Sequence, residues 1–139
     1  MGVAMPVTAA LLGLAALGLV ALAATYLFGP APAVYHARIL AHDGVDDIEP
    51  LRPVFRALYT LIGSAFLSIA LGVGALAAGP ILGGSGQAVA IATVMALVAG
   101  LPSGWVAWRA ERRSAVRTPW RAAVALTGLV VAGAVLAVV

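Results

Sequence analysis

Gly79-Pro80-Ile81-Leu82-Gly83-Gly84-Ser85-Gly86 decides how this chain folds. The stretch lies inside a run from Ala57 to Trp108 that holds no charged side chain. A helix needs about 20 apolar residues to cross a bilayer core, and the run is far longer than that. Gly and Pro at this density end a helix. The run therefore divides into two apolar segments, Ala57 to Ala78 and Gln87 to Trp108, joined by an uncharged turn.

Two further apolar segments flank this pair, Ala4 to Phe28 and Ala122 to Val139. The prediction is an all-α, integral membrane four-helix bundle occupying residues 1–139 as a single domain. Composition agrees. Apolar residues make up 63% of the chain and charged ones 9%, and the mean hydropathy is +1.10, values that exclude a water-soluble globular domain. Ala21-Leu22-Ala23 resembles a signal-cleavage site, but no positive side chain precedes it, so a retained span is expected.

Every charged side chain falls within residues 38–56 or 109–121. Four spans place both of those segments on one side and the Gly79 to Gly86 turn on the other. All eight basic groups are Arg, and all lie on the charged side. The positive-inside rule then makes residues 29–56 and 109–121 cytoplasmic and both termini outside. Tyr26, Phe28, Tyr35, Phe55, Tyr59, Trp105, Trp108 and Trp120 lie near the same ends, as amphipathic rings at a headgroup zone do.

The same charges exclude several functions. Eight Arg without a basic stripe interleaved with exposed aromatics read as an orientation signal, and no nucleic-acid partner is expected. The chain has no Cys, which removes disulfides, iron–sulfur ligation and a cysteine nucleophile. No ionisable residue sits in mid-span, against a proton- or sodium-coupled carrier. His36 and His42 lie outside the spans, against a haem-carrying bundle.

Helix association in lipid relies on small residues and interhelical hydrogen bonds. Ser64, Ser68 and Gly72 form one candidate contact stripe, and Ala125, Gly128 and Ala132 another. Pro102-Ser103-Gly104 marks a kink or a cavity near the charged end. His36 to Glu49 gathers two imidazoles and four carboxylates, but at no familiar metal spacing. A solvated loop turning at Asp43-Gly44 is expected there, with no metal site. The segment from Arg109 to Arg121 suits membrane lipid headgroups. A sharper reading joins Arg52 and Arg56 with Arg117 or Arg121 in a cationic pocket.

Four spans, outside termini and two Arg-bearing cytoplasmic loops resemble the MAPEG family, the membrane-associated proteins in eicosanoid and glutathione metabolism. The resemblance runs through His36-Ala37-Arg38-Ile39, Asp43-Gly44, Leu51 to Gly63 and the Arg-led final segment Trp120 to Gly128. It implies a homotrimer and a transferase acting on a lipophilic substrate at the inner leaflet. It also implies a glutathione or other thiol cosubstrate, held by Arg52, Arg56 and Thr60, with Arg121 as the catalytic, thiol-activating residue. Thr60 stands where the family has Asn, and Gly63 where it has Glu, the partner of glutathione's amino group. The alternative is a non-enzymatic membrane subunit that binds lipid or a partner protein.

Overall fold

The computed structural model describes residues 3–139. Among these it contains five α-helices: α1 (Ala4–Phe28), α2 (Val34–His42), α3 (Arg52–Leu76), α4 (Gly86–Ser114) and α5 (Trp120–Leu136). By length and apolar composition α1, α3 and α4 can each cross a membrane, which makes this a small, multi-pass helical membrane protein. The helix α5 has 17 residues, about 25 Å at ~1.5 Å per residue, just short of a ~30 Å hydrocarbon core. The fourth expected span is thus present as a shorter apolar helix that begins at Trp120 and stops before Val139.

Local chemistry sets the ends of these elements. Gly29 and Pro30 stop α1, and Arg52-Pro53 opens α3, since Pro in a first turn gives up only a donor that has no intrahelical acceptor. The helix α3 closes in a π-helical turn, Ala77–Ile81, containing Pro80. Gly84 then adopts φ +90°, and the Gly84 and Ser85 amides return to the carbonyls of Ile81 and Pro80, a Schellman closure. Ser85 Oγ accepts from the Ala88 amide at 3.2 Å and caps α4. The glycine-rich stretch is therefore the expected sharp turn between two long helices.

The core is built of small residues. Ala9, Ala15, Ala16, Ala70, Ala77, Ala88 and Ala92 are buried with Leu12, Val73, Ile81 and Val130, while Leu14, Leu17, Leu61, Leu71, Val94, Val98 and Val131 face outward. Small inside and large outside is the reverse of a water-soluble bundle. It fits a lipid surround, where close backbone approach holds helices together. The helix α1 packs against α3 and α5, and α4 packs against α5 and, less extensively, α3. A Cβ on Gly63 would lie 3.1 Å from the Ala23 carbonyl oxygen, and one on Gly100 would lie 2.6 Å from Thr127 Oγ1. Near the uncharged end, Thr8 is fully buried and donates to the Gly133 carbonyl at 3.0 Å, joining α1 to α5.

These contacts correct the expected stripes. Ser64, Ser68, Ala125, Gly128 and Ala132 are all exposed, and Ser68 Oγ bonds back to the Ser64 carbonyl of its own helix; of the expected stripe on α3 only Gly72 meets a neighbour, Met95 of α4. The contact face of α3 runs instead through Tyr59, Gly63, Ala70 and Val73, and that of α5 through Val130 and Gly133. In a chain this rich in Ala and Gly, small-residue spacing recurs on every face, and only the matching face of a neighbour selects one. Gly100 and Gly104, four apart on α4, are the small pair that meets α5. His36 to His42 is also corrected from loop to helix, closed by Gly44 at φ +83° with the Val45 amide returning to the Leu40 carbonyl.

Candidate functional site

The helix α2 lies across the charged end of the bundle and carries its aromatic residues inward. Tyr35 and His36 dock on Tyr26 of α1 and on Phe55 and Tyr59 of α3. The Tyr26 and Tyr59 rings meet edge to face at 5.1 Å, and Tyr26 lies 5.9 Å from Phe66. Tyr59 is almost fully buried, and its oxygen accepts from the Ala33 amide at 2.9 Å. The same oxygen is hydrogen-bonded to His36 Nδ1, and with the phenol as donor the ring proton of neutral His36 sits on Nε2. Burial lowers the His36 pKa from the ordinary histidine value and so favours that neutral form.

The hydroxyls of Tyr26 and Tyr35 are 3.1 Å apart. Two phenols hold two protons and spend one between them, which leaves one O–H free to donate. Burial, and then the bond to Tyr26, pushes the Tyr35 pKa well above the ordinary phenol value, so the group remains a protonated donor.

These side chains border a cavity of about 560 Å³ between all five helices. Tyr26, Tyr35, His36, Ser103 and Thr118 supply its polar atoms, and Leu22, Phe66 and Ile69 are among its apolar lining. Pro102 also lines it. The Pro102-Ser103 pair thus marks a cavity, and α4 runs through it as one helix. Ser103 Oγ donates to the Ala99 carbonyl at 2.7 Å.

The four residues expected to serve a cosubstrate lie elsewhere. Arg52 and Arg56 border a separate cavity of about 470 Å³ with Pro30, Ala31, Pro32, Ile48 and Pro53. Arg56 Nη1 also donates to the Leu27 and Gly29 carbonyls at 3.2 and 3.3 Å, so its charge caps the C-terminal end of α1. Thr60 Oγ1 donates to the Arg56 carbonyl of its own helix. Arg121 pairs with Glu111 at 3.0 Å. Glu111 Oε2 accepts as well from the Thr118 amide at 2.7 Å, closing the turn between α4 and α5. Arg117 is exposed. Within one chain, the cavity of Arg52 and Arg56 includes neither Arg121 nor Arg117. Gly63, where the resemblance led to the expectation of a Glu, is a point of contact between α3 and α1.

The polar loop makes two exposed ion pairs, Arg52 with Glu49 at 3.2 Å and Arg113 with Asp43. Among the described residues, no three His, Asp or Glu side chains gather where one ion could be held. The Tyr26, Tyr35, His36 and Tyr59 cluster escaped the sequence reading because aromatics near span ends read equally well as a headgroup belt. Tyr59, seven residues before Phe66 on the same helix face, was the available signal. No family model, curated protein or solved structure matches the chain.

Proposed function

We propose that this membrane protein binds a lipophilic molecule carrying a hydrogen-bond acceptor, in the cavity beneath α2. One observation carries the reading. A large, mainly apolar space has two uncommitted polar groups at its edge, a phenol O–H of the Tyr26–Tyr35 pair and Nε2 of His36. An apolar pocket with a few orienting polar groups is the general form of a small-molecule site. With the Arg-rich side taken as cytoplasmic, the ligand enters from the inner leaflet.

Native mass spectrometry of protein released from micelles tests this. The expected result is a co-purifying adduct that is absent from Ser103→Phe, in which an exposed side chain at the cavity wall is enlarged to fill it. An adduct that persists in a folded Ser103→Phe variant, or none in the wild type, overturns the reading.

A second reading, a transferase of the MAPEG kind, is favoured by the two-Arg cavity at the mouth of α3. It places a thiol such as glutathione against Arg52 and Arg56, has Arg121 stabilise the thiolate, and makes the protein a homotrimer. Thiolate absorbance on adding glutathione, lost in Arg121→Ala, would support it. No thiolate signal would leave the non-enzymatic binding protein as the reading.

A further inference from the structure

On the outer face of α4 and α5, a third cavity of about 570 Å³ is floored by Gly100, Gly104 and Gly128 and walled by Leu101, Val124 and Val131. Its charged end holds Trp105, Trp108 and Trp120, which are all the tryptophans of the chain. The guanidinium of Arg112 lies 4.9 Å from the Trp108 ring centre, and that of Arg121 lies 4.7 Å from the Trp120 ring centre. Two cation–π contacts thus fix two charges at the mouth of an apolar groove.

We infer that this groove is a selective site for an anionic phospholipid of the leaflet at the charged end, with an acyl chain along the glycine floor and the phosphate at Arg112 and Arg121. An acyl chain alone gives little selectivity, because lipid tails are as apolar as the groove wall. Selection must come from the headgroup, and the charges at the mouth are suited to it. Residues 109–121 hold five Arg and a single carboxylate, Glu111, which is spent on Arg121 and the Thr118 amide. Arg112 has no carboxylate partner among the described residues, and its exposed guanidinium is held by Trp108. Trp105, Trp108 and Arg112 follow the i, i+3, i+7 spacing of one helix face, so chain and headgroup contacts lie in line along α4.

Trp emission reports this groove directly. Full-length protein is reconstituted in mixed phosphatidylcholine and phosphatidylglycerol vesicles, with bromine on the acyl chains of one lipid or the other. The expected result is stronger quenching by brominated phosphatidylglycerol than by an equal fraction of brominated phosphatidylcholine. Arg112→Gln should weaken that preference about fivefold, the effect of one basic group at an anionic surface. Equal quenching by the two lipids, or an unchanged preference in Arg112→Gln, overturns the inference. Should that variant fail to insert, wild-type protein decides alone. Its preference should collapse in molar salt, and one that survives overturns the inference equally. Ser103→Phe, outside this groove, leaves the quenching unchanged, so this site and the cavity beneath α2 fail or stand separately.

Discussion

Two single residues carry conformational or electrostatic costs that can be measured. Ala115, the first residue past α4, has φ +55° and bonds its amide to the Glu111 carbonyl at 2.9 Å. This is a helix closure usually made by Gly, because a Cβ is crowded in the left-handed region. Ala115→Gly should stabilise the protein by about 1 kcal/mol, read as a higher thermal midpoint in micelles. An unchanged or lower midpoint would show that the left-handed turn is not maintained. His36 gives a pH dependence of definite sign. Its pKa is lowered by burial when α2 is docked, so undocked α2 binds the proton more tightly. Docking is complete above the ordinary histidine value of about 6.5 and weakens as pH falls below it. The protection of the Val34–His42 amides, corrected for the intrinsic exchange rate at each pH, should therefore fall between about pH 7 and pH 5, and His36→Gln should abolish that response.

Between elements, glycines separate contact from open surface. Gly63→Ala forces a methyl against Leu27 and the Ala23 carbonyl. Overpacking of this kind costs about 1–3 kcal/mol. Gly128→Ala meets nothing within 4 Å and should cost nothing, a contrast that reversible unfolding in micelles resolves. This pair of variants also shows how far the sequence could be read. The breaker at Gly79 to Gly86, the extent of α1 and the crowding of charge at one end followed from composition and spacing, because hydropathy and Gly/Pro chemistry are local; α4 runs past its expected end at Trp108 to Ser114, because hydropathy marks the apolar span and not the end of the helix. Which face of α3 or α5 turns inward did not follow, because that depends on what the neighbouring helix presents. Ser64 and Gly63 are adjacent in sequence, and only the position of Ala23 tells them apart. The candidate site was legible only in part: Pro102-Ser103 left both a kink and a cavity open, and Tyr26, Tyr35 and His36 meet only once α2 folds back across α1 and α3. Arg56 read as a ligand-binding charge, and its bonds to the end of α1 arise from a contact nearly thirty residues away in sequence.

For the whole molecule, the Arg distribution predicts orientation, and the absence of Cys makes the prediction easy to test. A single cysteine at Ser85, in the turn between α3 and α4, should react with a membrane-impermeant maleimide in intact cells. One at Asp46, on the charged side, should react only after the membrane is opened. The opposite pattern would invert the proposed topology, and reaction of both sites would show that the two ends do not lie on opposite sides. The inverted distribution of side-chain size, Ala within and Leu and Val without, also sets an expectation for solvent. Removing lipid and detergent should cause aggregation before it causes loss of helical circular dichroism, since the exposed residues are the ones that shun water.

The buried hydrogen bond from Thr8 to the Gly133 carbonyl joins residues 125 positions apart, and so has a bearing on biogenesis. While a ribosome is still feeding α3 and α4 into the membrane, α1 has already been released with its Thr8 hydroxyl and one of its packing faces unanswered. It must wait in lipid, or beside the insertion machinery, until α5 emerges. A chain arrested before Trp120 would thus present a recognisable unfinished surface, and its lifetime in the cell, compared with that of the full chain, would measure how closely quality control watches this last step.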